Sequence, residues 1–155
     1  MSWEHKIAHK LISSGKTLAI AESCTGGLLS SRLTNVPGSS NFLQFSVVAY
    51  SNDAKIKILK IPSSTINKFG AVSSETAVVM AQKARAILNA DFGIAITGIA
   101  GPSGGTKSKP VGLTYIAVCT SLESLCLKYQ LSGNRTSIKR QAATQALRLL
   151  WEFLI

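Results

Sequence analysis

The sequence predicts an α/β fold: a single three-layer α/β/α domain over residues 1–155, built on a mixed β-sheet. Three observations lead there. Short apolar runs are interspersed with segments of helical period. Two strand patterns follow one another closely after residue 110, so part of the sheet is a hairpin. The chain's 155 residues, 46% of them apolar, suffice for one sizeable core and argue against disorder.

Each element has its own signal. Trp3, Ile7, Leu11 and Ile12 recur at helical spacing, and Gly15 can close that helix in a left-handed cap. TLAIA at 17–21 reads as a short buried strand, and a helix is expected from about Gly26 to Thr34, before the breaker Pro37-Gly38. FLQFSVVAY at 42–50 is rich in β-branched and aromatic residues and reads as a strand. Ser51 can cap a helix running to about Lys60, with Asp53 favourable in its first turn. Ser73 or Ser74 starts a longer helix whose buried face is expected to be Ala77, Ala81, Ala84 and Leu88. FGIAIT at 92–97 is a strand, and the Gly- and Pro-rich stretch from 97 to 112 is a loop. VGLTYIAVC and the alternating Leu125, Leu127, Tyr129 and Leu131 form the hairpin. The last helix is expected from about Arg135 to Phe153, with Ile138, Ala142, Leu149 and Phe153 inward.

Composition narrows the function classes. No run approaches the ~18 apolar residues of a membrane span. MSWEHKIAHK lacks the apolar block of a signal peptide, so a cytoplasmic protein is expected. The three cysteines, Cys24, Cys119 and Cys126, have no metal-ligand spacing and read as reduced thiols. The net charge of +10 draws anions, but the charges are scattered and not interleaved with aromatics, which argues against nucleic acid as a partner.

The chemistry concentrates in AESCTGG at 21–27, where a strand hands over to a helix. In open α/β sheets, ligands gather beyond the carboxyl ends of strands. Gly26 and Gly27 let a substrate approach the backbone, and free N–H donors there suit a phosphate or an oxyanion. The plain alternative is a tight turn with Thr25 or Ser23 as an N-cap. A nucleophilic serine needs a base. The only histidines, His5 and His9, read as a solvated helix face with no carboxylate or cysteine pattern beside them, so neither a Ser-His-Asp triad nor a metal site is expected.

A lysine base remains open. Lys55 in AYSNDAK is the best candidate: it lies early in a helix, where the dipole disfavours an ammonium, and burial would add to that. Tyr50 and Ser51 end the preceding strand and can relay or orient a proton. An ordinary surface lysine is the competing reading, as for Lys57 and Lys60. SSGK at 13–16 matches S-x-x-K, but its Gly15 ends a helix instead of opening one. GPSGGTKS at 101–108 misses the P-loop pattern at Thr106 and precedes a strand. That loop can still wall a pocket, with Lys107 and Lys109 attracting an anion. Arg135 in GNR can grip a phosphate, or be a surface arginine. Cys24 is expected to face the core if Ser23 faces a pocket, because neighbouring side chains on an extended segment point opposite ways.

Six segments in order resemble the CinA C-terminal domain family: AESCTGG, VPGSS at 36–40, AYSNDAK at 49–55, FGAVSSE at 69–75, TGIAGPSGGTKSKPVG at 97–112 and GNR at 133–135. The stand-alone members of that family include nicotinamide-nucleotide amidase. The resemblance implies hydrolysis of the carboxamide of nicotinamide mononucleotide to nicotinate mononucleotide and ammonia, within pyridine nucleotide recycling. It implies Ser23 as nucleophile, with Lys55 and Tyr50 completing a Ser-Lys-Tyr arrangement, and no cofactor or metal. Thr25, Gly26, Gly27, Thr97, Gly98, Gly101 and Arg135 are then expected to bind substrate. A homodimer is also implied. Ala49 departs from the Thr expected in many relatives, and the charge exceeds what the family requires. The competing classes are an amidase for a related nucleotide, and a non-catalytic nucleotide-binding or DNA-associated module.

Overall fold

The computed structural model describes residues 1–155. Its elements are α1 (Trp3–Ser14), β1 (Leu18–Glu22), α2 (Leu28–Thr34), β2 (Leu43–Val48), α3 (Asn52–Lys57), α4 (Ser63–Phe69), α5 (Ser74–Ile87), β3 (Phe92–Gly98), β4 (Leu113–Cys119), β5 (Ser124–Gln130) and α6 (Arg135–Leu154). One mixed sheet has the order β2-β1-β3-β4-β5. β1 is parallel to both its neighbours, and β3, β4 and β5 run antiparallel in turn. The expected α/β class and mixed sheet are thus present.

Two cores lie on the two faces of the sheet, and side-chain size sorts between them. Leu18, Ile20, Ile94, Ile96, Ile116 and Val118 point to the face covered by α1, α2 and α6. Ala19, Ala21, Ala95, Ala117 and Cys119 point to the face covered by α4 and α5. The period-2 alternation of a strand separates the large set from the small one. α5 presents mostly small residues in return: Ala77, Met80, Ala81 and Ala84 are buried. Small residues on both sides let this helix lie close on the sheet. At Gly93 an added Cβ would strike the carbonyl oxygen of Ala81 and stand 2.9 Å from Arg85 Cβ.

The helix ends follow their local chemistry. Gly15 closes α1 at φ 63°, as its position predicts. Gly26 and Gly27 are left-handed at φ 60° and 99°, so α2 begins at Leu28, two residues later than expected. α3 stops at Lys57, not Lys60, because Lys60 is itself left-handed at φ 59°. Leu88 is not on the buried face of α5: it is the C-cap and half exposed. α4 was not expected, since SSTINKF buries only Ile66 and has no apolar stripe to reveal it. Leu125 and Leu127 alternate as predicted yet stay partly exposed, because β5 is the sheet's edge. No helix is long and apolar enough to cross a membrane.

A Gly93→Ala chain should lose about 1–3 kcal/mol of stability in urea unfolding, because α5 must shift away from the sheet. An unchanged midpoint would mean that the close approach of α5 is not needed.

Candidate active site

β1 is the only strand with parallel neighbours on both sides, and the candidate site lies beyond its carboxyl end. The backbone there is tied on both edges. Ser23 N–H donates to Ile96 O at 3.0 Å, and Ala49 N–H donates to Glu22 O at 2.8 Å. These bonds carry the sheet's pairing one step past β1 and hold Ser23 between β2 and β3. The chain then turns sharply, with Gly26 N–H donating to Ser23 O at 3.0 Å.

Glu22 secures the turn from behind. It is fully buried, and its carboxyl oxygens accept four hydrogen bonds. Thr25 Oγ1 (2.7 Å) and Leu29 N–H (2.9 Å) donate to Oε1, while Ser30 N–H (3.1 Å) and Ser30 Oγ (2.7 Å) donate to Oε2. The acid thereby satisfies N–H groups at the start of α2 that have no helical partner. Sequence reading passed over this residue. The available signal was a lone acid at the end of an apolar strand, followed by hydroxyls three and eight positions on.

Lys55 meets Ser23 across the crevice. α3 follows β2 through a sharp junction capped by Ser51, whose Oγ accepts from Ala54 N–H at 3.0 Å. This cap sends the Lys55 side chain inward, where the residue is 1% exposed. Lys55 Nζ lies 2.9 Å from Ser23 Oγ, 2.9 Å from Ala49 O and 3.1 Å from Tyr50 O. As an ammonium, Lys55 donates to all three oxygens; as a neutral amine, with two N–H donors and one lone pair, it keeps both carbonyls and accepts from the Ser23 hydroxyl. Burial lowers the Lys55 pKa to about 8, opposed only by the weaker pull of Cys24. Neither Asp nor Glu lines the cavity to hold the ammonium form.

The cavity itself measures about 260 Å³. Ser23, Lys55, Tyr50, Thr97, Gly98, Gly101 and Arg135, all singled out from sequence, line it together with Cys24, Asn52, Ala71, Val72 and Ser103. Thr97 Oγ1 donates to Ala71 O at 2.8 Å, so its hydroxyl braces a wall. Gly98 is glycine for a steric reason, because a Cβ would stand 2.8 Å from both Leu113 O and Thr114 Oγ1. Arg135 donates to Gly101 O at 2.6 Å and to Tyr50 Oη at 2.9 Å, bridging the Gly-rich loop to the rim.

This geometry bears on four expectations. Thr25 is fully buried and its hydroxyl is donated to Glu22, so its side chain cannot touch a ligand. Gly26 N–H is taken by Ser23 O and is not free for an oxyanion, whereas Cys24 N–H donates to no other residue. Gly27 caps α2 and does not line the cavity. The phenol of Tyr50 turns to Arg135, so Tyr50 meets Lys55 only through its carbonyl. Cys24 packs into the core as expected, and burial pushes its thiol up to about 11.

The buried amine makes stability depend on pH. Its folded pKa of about 8 lies below the ordinary 10.5, so between those values the unfolded chain holds a proton that the folded chain lacks. The Lys55 contribution to stability should rise from pH 8 to pH 10.5 by up to roughly 3 kcal/mol and be lost as pH falls through 8, against the opposite slope of the three thiols, whose pKa values burial raises. Urea unfolding of the wild type and of Lys55→Met across that range measures it. The wild-type slope should be more positive than that of Lys55→Met across this range; equal slopes would place the titration elsewhere.

The sequence model of the family described as CinA C-terminal domain matches residues 1–154. A putative competence-damage inducible protein from Desulforudis audaxviator is 44% identical over 151 residues, 97% of this chain and 37% of the relative. A CinA-like protein from Fervidobacterium nodosum is 46% identical over 147 residues, 94% of this chain and 36% of the relative. The chain thus spans little more than a third of these curated relatives. Among solved structures, the competence or damage-inducible protein from Enterobacter asburiae superposes with a TM-score of 0.95 at 35% identity, covering 99% of this chain and 96% of its own. The competence/damage inducible protein CihA from Agrobacterium tumefaciens gives a TM-score of 0.91 at 37% identity, covering 99% and 96%. A family match over nearly every residue, and relatives that share both sequence and fold, make this chain a member of the CinA C-terminal domain family.

Proposed function

We propose that this chain is an amidohydrolase that converts nicotinamide mononucleotide to nicotinate mononucleotide and ammonia through a Ser23–Lys55 pair, serving pyridine nucleotide recycling in the cytoplasm as a homodimer. The observation that carries the reading is the buried 2.9 Å contact between Lys55 Nζ and Ser23 Oγ, made with no acidic partner at hand. A lysine with a pKa of about 8 keeps a minority neutral fraction near physiological pH, far larger than that of an ordinary lysine, and can act as a general base.

The steps follow from the geometry. Lys55 takes the proton of Ser23 directly, and the alkoxide attacks the amide carbon. Cys24 N–H, the amide next to the nucleophile, supports the oxyanion in the tetrahedral intermediate. Lys55 passes the proton to the leaving nitrogen, and ammonia departs from an ester on Ser23. Lys55, neutral again, takes a proton from water as it attacks that ester. The acid is released and Ser23 Oγ recovers its proton. Tyr50 holds Lys55 through its carbonyl and Arg135 through its phenol. Its role in this scheme is positional, with no proton routed through the ring.

Ammonia release from nicotinamide mononucleotide tests the reading. Ser23→Ala should lower kcat at least about a thousandfold with the fold intact. An active Ser23→Ala chain sinks the mechanism. A wild type that binds the nucleotide without releasing ammonia points to a related amide or to a binding module.

The pH profile is a separate check. In kcat/KM the rate should climb tenfold per pH unit below about 8 and level off above it, because only neutral Lys55 accepts a proton. Lys55→Arg should be inactive at every pH, since a guanidinium stays charged. A profile that falls as pH rises toward 8 rules out the lysine base.

A further inference from the structure

We propose that Lys139, acting with Arg135, forms a subsite for the phosphate of a nucleotide ligand at the rim of the Ser23 cavity. The proposal deepens the amidase reading, on which its choice of ligand rests.

Lys139 lies four residues after Arg135 on α6, so the two side chains share one helix face. Its ammonium overhangs the turn that leaves the nucleophile: a Cβ placed on Gly26 would stand 3.6 Å from Lys139 Nζ. Its charge is felt at Cys24, which lines the cavity. Lys139 is half-buried, yet it belongs to none of the chain's ion pairs, Lys16–Asp91, Arg32–Glu4 and Lys57–Asp53. Its three N–H donors have no acceptor within the protein. Its Nζ is not shut off from solvent and keeps its three donors for an incoming anion.

The other cations near the cavity are engaged. Lys55 is bonded to Ser23 and two carbonyls. Lys109 Nζ donates to Phe69 O at 2.8 Å. Arg135 spends two of its five donors on Gly101 O and Tyr50 Oη and keeps three. The one acid in the AESCTGG turn, Glu22, is buried behind it with four hydrogen bonds already received. The rim between Ser23 and α6 therefore carries net positive charge and spare donors. A compact dianion suits that set: lysine supplies a point charge and arginine a planar fork. A nucleotide whose amide reaches Ser23 would extend its phosphate toward this face of α6.

The test is calorimetric binding of nicotinamide mononucleotide and of its dephosphorylated nucleoside to wild type, Lys139→Ala and Lys139→Arg. Lys139→Ala should weaken the nucleotide about 10- to 100-fold, leave the nucleoside unchanged, and be largely rescued by Lys139→Arg. Matching urea midpoints would show that the fold is kept. Equal loss for both ligands, no loss for either, or a wild type that does not prefer the phosphorylated form overturns the subsite. Ammonia release, read in parallel, separates the two readings. Lys139-dependent binding without ammonia removes the amidase and keeps the subsite. Ammonia release indifferent to Lys139 keeps the amidase and removes the subsite.

Discussion

Much of this molecule depends on where β1 stops. The strand is buried along its whole length and gripped on both edges by parallel neighbours, so its last residues have little freedom. The bonds from Ser23 N–H to Ile96 O and from Ala49 N–H to Glu22 O extend that grip past the strand's end. The turn beyond is then pinned by a carboxyl that joins it to α2. In the proposed reaction a hydroxyl on a loose loop would lose its alignment; the sheet holds the backbone of Ser23 in place.

Lys55 illustrates how burial alone can tune a base. A carboxylate nearby would hold the ammonium form and raise the pKa. The cavity offers hydroxyl, carbonyl and amide groups instead. Desolvation is therefore the leading influence, and it acts toward the neutral amine. Asp53, two residues before Lys55, pairs with Lys57 at the surface, and Glu22, next to Ser23, engages four donors of the following turn and helix. The same chain segment thus carries an acid that ties down the turn and, on the opposite face of an extended backbone, the hydroxyl that lines the cavity.

The division of the core into a large-residue face and a small-residue face has a bearing on the site. Alanines facing α5 let that helix approach the sheet closely. The segment entering α5 supplies Ala71 and Val72 to the cavity wall, and Thr97 at the end of β3 holds it by donating to Ala71 O. The layer that carries α5 thereby supplies one wall of the crevice. The solved relatives share the fold at TM-scores of 0.91 to 0.95, with about a third of the residues identical.

The sequence by itself determined the layers of this fold, because strand and helix periods are local properties that a single pass can read. It pointed to one wall of the cavity, since AESCTGG marks a strand-to-helix junction whatever surrounds it. α4 escaped notice for the same reason: SSTINKF buries one side chain and has no stripe to count. Only the tertiary structure decided which polar groups meet. Ser23 and Lys55 are 32 positions apart, and nothing between them encodes a 2.9 Å contact. Thr25 looked like a ligand group and proved to be a bond to Glu22, and the Tyr50 ring turned away from the lysine toward Arg135, 85 positions on. Hydrogen bonds and desolvation act through space, so their partners are settled by how the layers stack, after local pattern has settled what the layers are.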